Sequence, residues 1–344
     1  MMKAILFEQF GGPLALVKVA NPRATAKSVV IKVMATGLCR SDWHAWMGHD
    51  SGIALPHIPG HEFAGVIVEI GPEVHNFQVG DRVTVPFVCG CGSCDYCLRG
   101  DAQVCPSQTQ PGFTHFGSFA QDVEIHNADF NLVRLPDELS FESAASLGCR
   151  FATSFRGLVD RAKVQVDDYV AVFGCGGVGL SAIMIAKAFG AKTIAVDISD
   201  LALAKAKSIG ADFVINSGKS DALEEILALT GDGVDIAIDA LGSEATSTLG
   251  ILSLRRRGRY LQLGLLPSET GKSSIPMARA IAYELDLLGS HGMAAVDYPR
   301  LLEMVSSGKL RPDLLIEEYI TLADVPEALA NFTNRAVSGI TIIQ

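Results

Sequence analysis

The chain has 344 residues, 34 glycines, 19% charged side chains and a formal charge of −10. That profile excludes a disordered or fibrous protein and suits about two compact α/β domains. The acidic balance, with basic residues scattered apart from RRRGR at 255–259, disfavours a nucleic-acid or anionic-membrane partner. We read that short run as the end of a helix, where positive charge suits the dipole.

The N-terminal MMKAILFEQF meets Glu8 before any apolar stretch reaches signal-peptide length, so the expected location is cytoplasmic. Residues 29–34 (VVIKVM), 63–70 (FAGVIVEI) and 82–88 (RVTVPFV) are β-rich runs separated by Gly, Pro and Asp. They predict a mostly β domain over 1–150. Cys39 in TGLCRSDWH and His61 in PGHEFAG fall within it. Taken singly, each is better explained by packing than by chemistry.

Residues 89–105, CGCGSCDYCLRGDAQVC, hold five of the eight cysteines. Cys91, Cys94, Cys97 and Cys105 follow C-x2-C-x2-C-x7-C, a spacing that lets four thiolates close on one tetrahedral zinc. Disulfides do not suit a cytoplasmic chain. A nucleic-acid finger needs more basic residues than Arg99 beside Asp95 and Asp101. Four thiolates leave no open position, so this zinc is expected to be structural, with Cys89 spare.

From about 165 the rhythm changes to alternating strands and helices: YVAVFG, an apolar helix to Phe189, KTIAVD, LALAKAKSIG, DFVIN, ALEEILAL, VDIAIDA, a helix from Glu244, and YLQLGLL. This predicts a doubly wound parallel sheet over 151–290. The uncharged stretch 170–186 (VAVFGCGGVGLSAIMIA) nearly reaches membrane-span length, but its glycines predict strand, turn and helix instead. Helices near 297–307 and 323–333 and a strand GITII then return over 291–344 to the first domain.

G-C-G-G-V-G closes the first strand of that series. Gly174 permits the turn, Gly176 lets backbone approach a pyrophosphate, and Gly179 lets helix pack on strand, with Gly177 and Val178 opening the helix. Asp197, eighteen residues after Gly179, ends the next strand. A carboxylate there accepts both ribose hydroxyls and repels a 2′-phosphate, so NAD rather than NADP is expected. Cys175 is read as a small packing residue.

C-R-S-D-x-H at 39–44, G-H-E at 60–62, G-D-R-V at 80–83, the four-cysteine loop, L-G-C at 147–149, GCGGVG and Asp197 together span nearly the whole chain. In this combination the sequence resembles the zinc-dependent alcohol dehydrogenases of the medium-chain dehydrogenase/reductase family. The resemblance implies a GroES-like β-barrel domain, a Rossmann domain and an active site in the cleft between them. It implies two zinc ions per chain, the catalytic one on Cys39, His61 and Cys149 with water or substrate fourth.

It further implies that Glu62 lies behind that metal, able to replace the fourth ligand, and that Asp42 fixes the His61 tautomer. Ser41 and His44 correspond to a proton relay. Arg40 corresponds to a pyrophosphate contact, and Leu265 to a contact with the nicotinamide carboxamide. Phe87 matches a pocket-lining position, and Trp46 and Met47 follow the relay closely enough to lie at the pocket mouth. Ile340 stands where many relatives carry a cofactor-binding arginine. Shorter members are commonly tetramers, so a homo-tetramer built partly by edge pairing of LDLLG strands is expected.

The implied activity is reversible oxidation of a small-molecule alcohol with NAD. Two alternatives stay open: a polyol dehydrogenase on the same fold, and a nucleotide-responsive binding protein that uses zinc for structure alone.

Overall fold

The computed structural model describes residues 1–266, 272–334 and 338–344. The chain divides into two compact units: Met1–Ala152 with Gly292–Gly308 and Ile316–Gln344, and Thr153–His291 with Lys309–Leu315.

The first unit is a mostly β domain. Its sheet runs Ile316–Ile320, Ile340–Ile343, Val29–Leu38, Phe63–Ile70, Arg82–Thr84, Val133–Arg134, and Asp122–Ile125 also pairs with Val29–Leu38. A separate antiparallel hairpin joins Met2–Phe7 to Leu14–Val19. Val29 and Ile31, two apart and therefore on one face, pack with Phe63, Ile67, Val83, Val123 and Ile125. Both longest strands end at chemistry: Val29–Leu38 delivers Cys39, and His61 and Glu62 immediately precede Phe63–Ile70.

The run expected as a strand over 82–88 pairs only through Arg82–Thr84. Beyond it Pro86 has no N–H to give a ladder. The C-terminal strand lies beside Val29–Leu38, with Thr341 opposite Leu38, so the last residues support the segment that carries Cys39.

The second unit is the Rossmann domain. Its six strands are all parallel, in the order Phe213–Asn216, Lys192–Asp197, Tyr169–Phe173, Val234–Asp239, Leu254–Gln262, Asp286–Gly289. This is the 3-2-1-4-5-6 order of a dinucleotide-binding sheet, which places the switch point at the end of Tyr169–Phe173. Helix Gly177–Ala188 follows that strand directly. The apolar stretch 170–186 is therefore strand, turn and helix, and no helix among the described residues is long and apolar enough to cross a membrane.

RRRGR does not end a helix. Helix Glu244–Leu252 stops at Ser253, and the arginines open the strand Leu254–Gln262. Each arginine there meets a carboxylate: Arg255 with Asp235, Arg256 with Asp232, Arg257 with Glu284, and Arg259 with Asp168. Strand pairing and local acid partners thus account for the run.

Candidate active site and metal centres

Cys39 precedes the short helix Arg40–Trp46, and Asp42 in its first turn is fully buried. The Asp42 carboxylate accepts three hydrogen bonds: from the Cys39 N–H at 3.0 Å, the Gly60 N–H at 3.1 Å and His61 Nδ1 at 2.8 Å. One side chain therefore ties the Cys39 segment to the His61 segment. Burial would depress the His61 pKa, but Asp42 and then Cys39 outweigh it and raise it well above normal. With Nδ1 committed to Asp42, Nε2 is the nitrogen left to bind, and it is buried without a hydrogen-bond partner.

Cys149 arrives on a widened helical turn, Leu147–Phe151. Turns of this kind recur at functional sites because the extra residue re-aims one side chain. The fully buried Tyr298, from the returning segment of the same unit, donates its hydroxyl to the carbonyls of Leu147 at 3.5 Å and Gly148 at 3.3 Å.

One donor atom from each of Cys39, His61, Glu62 and Cys149 lies within 4.8 Å of every other. The neighbouring Cys149 thiol is the chief cause holding the Cys39 pKa low, and Cys39 in turn drives that of Cys149 up. Two thiols, an orphaned imidazole nitrogen and a buried anchoring carboxylate form the donor set of a zinc site with an open position.

Glu62 is already engaged. The Arg150 backbone N–H donates to its Oε1 at 2.9 Å, Arg150 Nε donates to the same oxygen at 3.1 Å, and Nη2 donates to Oε2. Arg150 Nη1 reaches the Leu38 carbonyl at 3.2 Å. Burial opposes the Arg150 charge, but Glu62 and Cys39 more than offset it, so the guanidinium pKa sits above its ordinary value. Burial raises the Glu62 pKa, and Arg150 pulls against that rise. The pair crosses the chain at Gly37, where a Cβ would come within 2.8 Å of Glu62 Oε2 and 2.9 Å of Arg150 Nη2.

Arg150 and Tyr298 were not singled out from the sequence. The only signal for Arg150 was its place next to Cys149, and an arginine is usually an exposed residue. Phe113 was missed too; its ring centroid lies 5.2 Å from that of His61, and the Phe87 ring lies at 6.1 Å. Trp46, expected at a pocket mouth, is instead a core residue packed with Ile5, Phe7 and Leu38, its Nε1 donating to the Gly12 carbonyl at 2.8 Å. The helix turns it inward, whereas Met47 is exposed. Arg40 is exposed, and Ser41 and His44 are half-buried on the same helix. Ile340 is fully buried in the sheet beside Ile316.

Cys91, Cys94, Cys97 and Cys105 also bring their sulfurs within 4.8 Å of one another. Two of the separations are 3.9 Å (Cys91 to Cys97) and 3.7 Å (Cys94 to Cys105). A tetrahedron of zinc–sulfur bonds of about 2.3 Å has edges of about 3.8 Å, so the loop fits a closed site of four thiolates. Asn131 holds the loop entry, taking the Gly90 N–H at 2.8 Å and donating to the Gly90 carbonyl at 3.0 Å. Cys89 lies outside the cluster; burial pushes its thiol up to about 12. Substituting Cys97 by serine should release one metal per chain and loosen this lobe while leaving NADH binding intact. Metal analysis and nucleotide fluorescence titration check this.

In the Rossmann unit Gly174 has φ +93°, and a Cβ on Gly179 would lie 1.8 Å from the Gly174 carbonyl oxygen, so both positions demand glycine. Gly176 is exposed, and the space where its Cβ would stand is open. Gly177 and Val178 form the first helical turn, whose N–H groups face outward for an anion. Asp197 accepts the Cys175 N–H at 2.7 Å on Oδ2 and the Ser199 N–H at 2.9 Å on Oδ1. Each oxygen keeps one lone pair, enough for a vicinal diol. The turn, the helix start and the Asp197 carboxylate thus fit a dinucleotide. Leu265, 61% exposed, follows the strand end where Gly264 and Gly242 pack closely.

Residues 25–137 match the alcohol dehydrogenase GroES-like domain, and residues 177–307 match the zinc-binding dehydrogenase family. An alcohol dehydrogenase of Geobacillus stearothermophilus is 36% identical over 94% of this chain and 95% of its own. A sorbitol dehydrogenase of Bacillus subtilis is 36% identical over 90% and 89%. The solved structure of an NAD-dependent alcohol dehydrogenase superimposes with a TM-score of 0.91 at 31% identity, covering 100% of this chain and 99% of that one. With two metal-ready clusters and a dinucleotide turn in the matching domains, the chain belongs to the zinc-dependent alcohol dehydrogenases of the medium-chain dehydrogenase/reductase family, oxidoreductases acting on CH–OH groups with a nicotinamide cofactor.

Proposed function

We propose that this enzyme interconverts primary or secondary alcohols with aldehydes or ketones, using NAD and a catalytic zinc held by Cys39, His61 and Cys149, with a structural zinc on the four-cysteine loop. The convergence of those three donors around the unpartnered His61 Nε2 carries the reading. When bound, zinc supplies Lewis acidity that brings an alcohol oxygen's pKa toward neutrality, and NAD accepts the two electrons.

The chain's own residues do the rest. Asp42 fixes the His61 ring so that Nε2 faces the metal position, and Arg150 holds Glu62 in reserve behind it. Phe87 and Phe113 flank His61 with apolar rings, which excludes water and favours medium-sized or aromatic alcohols over polyols. Ser41 takes the substrate proton and His44 returns it to solvent. By the family resemblance, Arg40 is assigned to the pyrophosphate and Leu265 to the carboxamide. A homo-tetramer is supported by Asp286–Gly289, one of the two outer strands of its sheet, which offers an edge to a second copy, and the cytoplasm is its proposed location.

The test is a panel of primary, secondary, aromatic and sugar alcohols, following NAD reduction on protein whose zinc has been counted. Two zinc ions per chain with turnover of apolar alcohols is the expected result. A preference for sugar alcohols moves the reading to a polyol dehydrogenase. One zinc and no nucleotide reduction moves it to a nucleotide-responsive binding protein.

The choice of NAD rests on Asp197. Two charge-assisted hydrogen bonds are worth about 3 kcal/mol together, so Asp197→Ala should weaken NAD about 100-fold. NADP, relieved of the carboxylate, should bind no worse than before. Fluorescence titration with NADH and NADPH measures both; unchanged discrimination would remove the assignment.

A further inference from the structure

His44 has a partner that the reading above leaves without a task. Its Nδ1 lies 2.8 Å from Nδ1 of His49, five residues on in the exposed turn after the helix. The geometry is built. The His49 N–H donates to the His44 carbonyl at 3.0 Å, and the Trp43 ring meets both imidazoles near edge-on, at centroid distances of 5.0 and 5.6 Å. A contact between two ring nitrogens holds one proton, so the rings must be complementary: one donates from Nδ1–H and the other accepts on a bare Nδ1.

We propose that His49 is the outer half of a two-imidazole proton conduit, receiving from His44 the proton released in alcohol oxidation and passing it to water. The inference rests on the relay role given to His44 above. In the outward direction a proton joins Nε2 of His44, the Nδ1 proton crosses to Nδ1 of His49, and the Nε2 proton of His49 leaves to solvent. One proton enters, one leaves, and both rings end neutral with their tautomers exchanged. The starting pair returns when each ring exchanges its proton between Nδ1 and Nε2 through water, which moves no net proton; His44 is half-buried and His49 exposed. Carbonyl reduction runs the same path inward.

The surroundings favour outward movement. Burial, then His49 and Arg40, lower the His44 pKa, and Cys39 opposes them weakly. A charged His44 is therefore disfavoured where it stands, whereas His49 lies in an exposed turn. His49 touches no substrate in this scheme; it acts through His44.

The test compares His49→Gln, which keeps a hydrogen bond to His44 but carries no proton, with His44→Gln. In zinc-loaded protein without nucleotide or alcohol, 15N-histidine NMR should show the His44 nitrogens titrating jointly with His49 and shifting when His49 is replaced. In single turnovers with a pH indicator, His49→Gln should slow proton release about tenfold in dilute buffer, with alcohol KM unchanged and the rate restored by added imidazole. His44 nitrogens indifferent to His49, or proton release in His49→Gln equal to the parent at every buffer concentration, would overturn the conduit. If His44→Gln slows release and His49→Gln does not, only this inference fails; if neither does, the relay beneath it fails as well.

Discussion

Replacing Cys149 by alanine should leave one zinc per chain instead of two and lower alcohol turnover about 10³-fold, with NADH still bound. Lewis-acid stabilisation of a developing oxyanion is worth several kcal/mol, and about 4 kcal/mol corresponds to three decades in rate. Among the described residues, the one other donor in the cluster beside the three proposed ligands is Glu62, which Arg150 holds on both oxygens. Cys89→Ala is the control, because Cys89 is a buried thiol that lies outside both clusters, its Sγ directed to the Pro86 carbonyl at 3.5 Å. It should keep both metals and near-parental turnover. Metal analysis with steady-state kinetics on the two variants decides the matter; two zinc ions in Cys149→Ala would mean that Cys149 is not a ligand.

Arg150→Met should destabilise the metal-free GroES-like unit by about 3–5 kcal/mol, because it strands the fully buried Glu62 carboxylate. The loss should be largely recovered in the double variant Arg150→Met with Glu62→Gln, which removes the uncompensated charge. A buried pair contributes little net stability over apolar replacement, yet breaking one side of it is costly. Non-additivity is thus the signature, and the coupling should exceed about 2 kcal/mol. Denaturant unfolding followed by tryptophan fluorescence suits the question, since the two tryptophans, Trp43 and Trp46, both belong to this unit. Equal, additive costs would show that the two side chains act independently. In zinc-loaded Arg150→Met, Glu62 is freed to compete for the metal, so turnover should also fall.

Much of the fold was legible because its signals are local. Alternating β-branched runs and apolar helices from 169 to 262 define a parallel sheet, since each strand, turn and helix is specified within a few residues. The GCGGVG turn is of the same kind: a positive φ at Gly174 and a close approach at Gly179 are demands that neighbouring backbone makes. The four-cysteine loop is local too, with all its donors inside fifteen positions.

RRRGR misled for a related reason. Positive charge near a helix end is a local pattern, but the carboxylates that hold these arginines, Asp168, Asp232, Asp235 and Glu284, come from other parts of the chain. Trp46 is similar: closeness in sequence to Ser41 and His44 says nothing about which side of a helix a residue occupies.

The sequence by itself determined the family, the two-domain plan, the dinucleotide turn and the cysteine cage, because each is written in residues near one another or in a combination of motifs too specific to arise otherwise. Tertiary structure alone decided that Asp42, expected to hold His61, also binds the Cys39 segment, that Arg150 clamps Glu62 from 88 positions away, that Tyr298 steadies the Cys149 turn, and that His44 faces His49. The physical reason is common to most of them. A buried polar atom must find a partner, but its identity depends on which strands and turns meet in space, and no spacing along the chain encodes that.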